Sequence, residues 1–200
     1  MRTGVFGGTF DPIHVGHLIL AEQCREQGQL DQVLFVPAAQ PPHKPRPLAP
    51  FAQRVEMLQL AVSGNSAFQV DEIESERTGP SFTADTLEEL QRRRPGDELF
   101  LIIGADTLRD LPTWYQPARI LQRATLLVVA RPDWPAPALE GFRGALPDGV
   151  SLRYQSVEAP QIGIASRDLR RRLAEERSVR YQLPRAVEAY IHDKGLYRQT

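Results

Sequence analysis

Cysteine is almost missing from this 200-residue chain: Cys24 stands alone, which excludes an internal disulfide and any metal site built from several thiolates. Lysine is nearly as scarce, since only Lys44 and Lys194 among the 24 basic residues are not arginine. For most of those arginines the plain reading is a compositional bias of the source genome. No window approaches the roughly 20 apolar residues of a membrane-spanning helix. Neither sign of charge dominates, with 24 basic against 25 acidic residues and a net of -1, so no global field recruits nucleic acid or an anionic membrane. Small molecules are therefore the expected partners, with neither nucleic acid nor membrane among them. Met1 to Gly8 reach glycine before any apolar signal region can form, and the expected location is cytoplasmic.

What is present is an ordinary globular composition, 42% hydrophobic and 24% charged. A chain of this size should bury about 70% of its unfolded surface and needs no covalent staples. One domain over residues 1–200 is expected. Charge is uneven along it: from Arg167 onward nine Lys or Arg face five Asp or Glu, a net of +4 that an anionic ligand can exploit.

Short apolar runs alternate with helical patterns, the signature of parallel strands joined by crossover helices. Strands are expected at Arg2–Gly7, Gln32–Pro37, Phe68–Asp71, Glu98–Gly104, Ala124–Arg131 and Ser151–Val157. The unbroken runs Leu99 to Ile103 and Thr125 to Val129 fit central strands covered on both faces. Helices are expected near 17–28, 51–63, 83–93 and 116–123, with Phe51, Val55, Leu58 and Val62 forming the buried stripe of the second. Two more close the chain, one capped by Ser166, the other opened by Pro184 and ended by Gly195. The fold class is α/β, a Rossmann-like, doubly wound, mainly parallel sheet with a small C-terminal helical segment over about 166–197. The Pro-rich stretch after Arg131 reads as a surface excursion.

Chemistry concentrates between the first strand and the first helix, in Gly7-Gly8-Thr9-Phe10-Asp11-Pro12-Ile13-His14-Val15-Gly16-His17. Ligands of open parallel sheets sit beyond the carboxyl ends of the strands. Glycines there let backbone amides approach phosphate oxygens, and a helix N-terminus adds partial positive charge. Both the Gly-x-Gly-x-x-Gly of dinucleotide oxidoreductases and the Gly-Lys-Ser/Thr of P-loop proteins are lacking, which counts against hydride transfer and P-loop hydrolysis. His14 and His17, three apart, can reach one anion from a single helical turn. A zinc site would need a third ligand, and only His43 and scattered carboxylates are on offer. The plain structural alternative is a pair of satisfied polar residues capping a tight turn.

Asp106 follows the Leu-Phe-Leu-Ile-Ile-Gly strand on the ligand side, where a carboxylate can hold a ribose hydroxyl or a metal-bound water, or simply cap a helix. Lys44, beside His43 on a Pro-rich loop, is either a cationic arm over phosphates or a solvated lysine. Thr83 opens a helix, where its hydroxyl and the first-turn amides can receive a carboxylate.

Gly8-Thr9-Phe10-Asp11-Pro12-x-His14-x-Gly16-His17 resembles the signature of the nucleotidylyltransferase superfamily with the (T/H)-x-G-H motif. Four further segments resemble the bacterial nicotinate mononucleotide adenylyltransferases: Pro41 to Lys44, Ser81 to Leu87, Gly104 to Asp106 with Leu111 to Tyr115, and Tyr190-Ile191 with Gly195 to Tyr197. The resemblance implies adenylyl transfer from ATP to nicotinate mononucleotide, with Mg²⁺ carried on the ATP phosphates and no other metal. It implies that His14, His17 and Lys44 are catalytic, and that Gly8, Thr9, Phe10, Ser166 and Arg170 join the two histidines around ATP. His43, Lys44, Thr83, Asp106 and Trp114 would contact the mononucleotide, Trp114 by stacking on the pyridine ring. The late motif of the family, Ile-Ser-x-Thr-x-Ile-Arg, is altered here to Ile164-Ala165-Ser166-Arg167-Asp168-Leu169-Arg170, so two hydroxyl contacts do not carry over. Phe82 also replaces a common tyrosine. Pantetheine-phosphate adenylyltransferase is the near alternative, and a non-catalytic nucleotide sensor on the same fold the more distant one.

Overall fold

Leu99, Leu101 and Ile103 pack on one side of the sheet while Phe100 and Ile102, between them in sequence, pack on the other. The same split separates Val33 and Phe35 from Leu34 and Val36. This period of two makes a run of apolar residues serve two cores at once. The structure is a computed structural model and describes residues 1–42, 47–129 and 152–198.

Six strands form one sheet: β1 (Arg2–Gly8), β2 (Gln32–Pro37), β3 (Phe68–Val70), β4 (Glu98–Gly104), β5 (Ala124–Val129) and β6 (Tyr154–Val157). Their order is β3-β2-β1-β4-β5-β6 and every pairing is parallel, with Val5 opposite both Leu34 and Leu101. Seven α-helices lie among the described residues: α1 (Val15–Gln27), α2 (Phe51–Val62), α3 (Thr83–Arg93), α4 (Ala105–Asp110), α5 (Pro117–Arg123), α6 (Ser166–Ala174) and α7 (Arg185–Asp193). Residues of α1, α2, α6 and α7 pack on the face holding Phe100, and those of α3, α4 and α5 on the face holding Leu101. The expected doubly wound sheet is thus present, and it is wholly parallel.

The differences from expectation have local causes. β3 ends at Val70 because the Asp71 side chain turns back to accept the Ile73 amide, at 3.1 Å, and so closes a turn. β6 begins at Tyr154, and the expected strand residues 130, 131 and 151 lie outside the described residues, as does most of the Pro-rich excursion. The six-residue α4 and the 3₁₀ turns Ile73–Glu76 and Leu111–Thr113 are too short to show a period. In α2 the buried stripe contains Val55, Leu58 and Val62, but also Met57 and the charged Arg54, while Phe51 is only half-buried. Ser166 does not cap α6: Ala165 holds the cap position, and the Ser166 hydroxyl donates instead to the carbonyl of Pro12 at 2.9 Å. Gly195 ends α7 as expected, in the left-handed conformation at φ 59° that glycine adopts without steric cost.

The chain runs outward from β1 to β3, then returns to lay β4 on the other side of β1. Strand order reverses between β1 and β4, and the splayed loops there leave a crevice at the carboxyl ends.

Candidate functional site

A cleft of about 1000 Å³ opens at that reversal. Its floor is the ends of β1 and β4, at Gly7, Gly8, Ile103 and Gly104, and its walls include His14, His17, Asp106, Ser166 and Arg170. Thr9 and Phe10 also line it. Of the residues the sequence singled out around ATP, all therefore reach one cavity.

The two histidines form its centre. His14 is the N-cap residue of α1 and His17 lies in the first turn, so both rings stand at the positive end of the helix dipole. The rings stack at 3.7 Å between centroids and 24° between planes. The backbone N–H of His14 donates to Nδ1 of His17 at 3.2 Å. An accepting Nδ1 leaves the imidazole hydrogen on Nε2, so His17 presents its second nitrogen as a donor. Phe6 and Phe10 meet the His17 ring at steep angles, with centroids 6.0 and 5.2 Å away, and hold its plane. His14 is only 6% exposed, and burial pushes its pKa down to about 4, so it is neutral at physiological pH. Two glycines permit this close packing. A Cβ at Gly16 would stand 3.0 Å from Nδ1 of His14, and one at Gly8 would come within 2.8 Å of the Phe10 ring.

Behind the loop lies a charged residue that the sequence did not reveal. Arg54, 1% exposed, donates to the carbonyls of Thr9 at 2.7 Å, Ala38 at 2.8 Å and Ala49 at 3.3 Å. One guanidinium thus ties the loop after β1 to both described ends of the segment between β2 and α2. Asp11, 4% exposed, binds the same segment through its carboxylate, which accepts the amides of Leu48 at 2.9 Å and Ala49 at 3.1 Å. Arg170 reaches across from α6 to donate to the Asp11 carbonyl at 2.6 Å. Helical periodicity assigned Arg54 no role, because it follows the apolar stripe without breaking it.

Thr83 and Trp114 do not line this cleft. Their immediate neighbours meet, however: the Phe82 and Tyr115 rings stack at 4.3 Å and 26°. Arg119 joins the same two elements by pairing with Asp85 and Glu88 of α3. On the other side, the Ser81 amide donates to Gln40 O at 2.9 Å and the Gln40 amide to the Ser81 hydroxyl at 3.0 Å. The segment preceding Pro41 is thereby joined to the one that opens α3. His43 and Lys44 themselves lie outside the described residues. Beneath α3 sits a second buried acid that the sequence did not single out: Glu74, 7% exposed, accepts the Thr86 hydroxyl at 2.7 Å.

Among the described residues no group of three or more His, Cys, Asp or Glu is arranged to hold a metal ion, so the three-ligand zinc arrangement is not found there.

Comparison with known proteins matches residues 5–172 to the cytidylyltransferase-like family. A Thermus thermophilus protein named "Probable nicotinate-nucleotide adenylyltransferase" is 50% identical over 198 residues, covering 99% of this chain and 100% of its own. A protein of the same name from Thermomicrobium roseum is 49% identical, covering 98% of this chain and 92% of its own. Among solved structures, the nicotinic acid mononucleotide adenylyltransferase of Plasmodium falciparum complexed with NaAD superposes with a TM-score of 0.80 at 18% identity, over 98% of this chain and 97% of that one. At that identity the likeness is one of fold.

Proposed function

We infer the reaction from family and site together: the chain belongs to the nicotinate-nucleotide adenylyltransferases, within the cytidylyltransferase-like family, and it transfers the adenylyl group of ATP to nicotinate mononucleotide. The products are nicotinate adenine dinucleotide and pyrophosphate, a step of NAD biosynthesis.

The acceptor is a phosphate monoester whose second pKa is about 6, so it arrives mostly as the dianion and needs no general base. The protein's task is to align two polyanions and to stabilise charge on the α-phosphate and the departing pyrophosphate. The observation that carries this reading is the stacked His14–His17 pair on the cleft at the head of α1. His17 donates from Nε2 to the transferred phosphate. His14, neutral, holds the His17 ring in plane by stacking and adds a polar edge without a formal charge. The backbone of Gly8, Thr9 and Phe10 runs along the nucleotide, and Arg170 and Ser166 face its phosphates from α6. Arg167, also on the cleft wall, stands in for one of the hydroxyls missing from the late motif. On the acceptor side, Thr83 and the first amides of α3 receive the pyridine carboxylate, Trp114 stacks on the ring, and Asp106 takes a ribose hydroxyl.

A divalent cation held mainly by substrate phosphates fits a cleft with Asp106 on its wall and, among the described residues, no three-ligand cluster. Mg²⁺ bound through the triphosphate supplies charge neutralisation. A coupled assay of pyrophosphate release, with nicotinate mononucleotide, its amide analogue and phosphopantetheine in parallel, tests the reading. Release is expected with the acid, less with the amide and none above background with phosphopantetheine. Turnover of phosphopantetheine alone would replace this acceptor by the other.

A further inference from the structure

The final described residues fold back onto the loop that binds phosphate. After α7 the chain turns through Gly195 and Tyr197, both at positive φ, 59° and 64°. This turn packs the Tyr197 ring against the core cluster that holds Phe10. Its hydroxyl donates to Oδ1 of Asp11 at 2.7 Å, across 186 positions of sequence. Tyr197 is not among the residues lining the cleft, so it can influence the ligand only through what it touches.

What it touches is an anchor shared by three segments. Oδ1 of Asp11 also accepts the Ala49 amide and Oδ2 the Leu48 amide. The Asp11 carbonyl accepts Nη1 of Arg170, which stands 3.9 Å from Oδ2. Arg54 holds the carbonyls of Thr9 and Ala49 on either side. A carboxylate so deeply buried keeps its direction only while its lone pairs are taken. With the hydroxyl gone, the Asp11 carboxylate keeps only the Leu48 and Ala49 amides, and the attraction of Arg170, 3.9 Å from Oδ2, is no longer opposed by the tyrosine and can draw that guanidinium off the backbone carbonyl.

We propose that Tyr197 is a positioning residue of the phosphate site, acting through Asp11 to hold Arg170 and the loop after β1 in register for ATP. The inference rests on the adenylyltransferase reading and names a residue of that site. Burial and the neighbouring Asp11 charge raise the Tyr197 pKa, which keeps its proton in place as a donor, while Arg54 and Arg170 oppose the shift without reversing it.

The test is Tyr197→Phe, which removes one oxygen and keeps the ring. ATP affinity with Mg²⁺ is measured by calorimetry in the absence of mononucleotide, beside steady-state kinetics and thermal midpoints. The dissociation constant and KM for ATP should rise about tenfold, as for loss of one hydrogen bond to a charged group. KM for the mononucleotide and kcat should stay within about threefold of the parent. Tyr197→Leu should lower the thermal midpoint further yet weaken ATP no more than Tyr197→Phe does, whereas a merely structural role would make the two fall together. In an Asp11→Asn background, adding Tyr197→Phe should change ATP affinity by less than about twofold. ATP affinity unchanged in Tyr197→Phe, or full additivity with Asp11→Asn, would overturn the proposal; if Asp11→Asn fails to fold, the single variants decide. A parent that binds ATP but transfers nothing to nicotinate mononucleotide would fail the acceptor assignment and still leave Tyr197 judged by calorimetry.

Discussion

The amide of His14 donates to Nδ1 of His17 while the two imidazoles stack at 3.7 Å, so one residue sets both the tautomer and the plane of the other. On the proposed reading the pair works as a unit, with His14 supplying geometry and His17 offering Nε2–H to the transferred phosphate. Gly16 is part of it, since a side chain there would press on the His14 ring.

Replacing His17 by alanine should leave the fold intact and lower kcat by about two to three decades, the usual worth of one preorganised donor to a developing oxyanion. Circular dichroism and the thermal midpoint check the first half, and saturating-ATP kinetics the second. Near-parental kcat would remove His17 from catalysis.

His14 predicts a pH dependence of stability. Burial holds its pKa at about 4 in the folded protein, below the ordinary 6.5 of an exposed imidazole, so between these values the unfolded chain binds more protons. Stability is therefore fully present above about pH 6.5 and declines as pH falls toward 4, by at most about 3 kcal/mol from this group. Urea unfolding of the parent and of His14→Gln across that window should show a difference that narrows as pH falls. A constant difference would contradict the buried neutral state.

Arg54→Met should cost about 3 to 5 kcal/mol, because the carbonyls of Thr9, Ala38 and Ala49 lose their donor inside the protein. Arg54→Lys should recover only part of it, since an ammonium cannot reproduce the planar fork across three carbonyls. Denaturant midpoints measure both, and a loss under about 1 kcal/mol for the Met variant would show the carbonyls rehydrated.

On the proposed reading, Thr83 and Trp114 carry the choice of acceptor. A pyridine amide placed at the head of α3 would present its NH₂ to donors, costing about 1 to 3 kcal/mol. The acid should be preferred by about tenfold to a few hundredfold in kcat/KM. Thr83→Ala should narrow that gap, and Trp114→Ala should weaken both acceptors. Equal use of acid and amide by the parent would end the carboxylate assignment.

Activity should need Mg²⁺ and survive zinc-selective chelators, because substrate phosphates carry Mg²⁺ with few protein ligands. Stoichiometric zinc in the purified active protein, read by elemental analysis, would refute this.

Much of the fold was legible because it is local. The alternation of strand runs with helical stripes implied a parallel sheet, the unbroken runs Leu99 to Ile103 and Thr125 to Val129 implied central strands covered on both faces, and both runs lie within strands, β4 and β5. The glycines that end β1 and the His14-x-x-His17 spacing implied an anion site at the head of a helix, and both histidines do line one cleft. Short elements escaped: α4 spans six residues, and a period cannot be read from fewer than two turns.

The sequence by itself determined the layers, the strand end that carries the site, and the histidine pair, since periodicity and chain chemistry act over a few residues. Tertiary structure alone decided which distant group completes each bond. Ser166 had a local use as a helix cap but donates to Pro12, 154 positions away. Arg54, to which the helical pattern of α2 gave no role, is the buried tie of two loops. Tyr197 closes on Asp11 from the far end of the chain. The physical reason is common to all three. A buried donor or acceptor takes whatever partner packing brings within about 3 Å, and no local window of sequence records which segments packing will bring together.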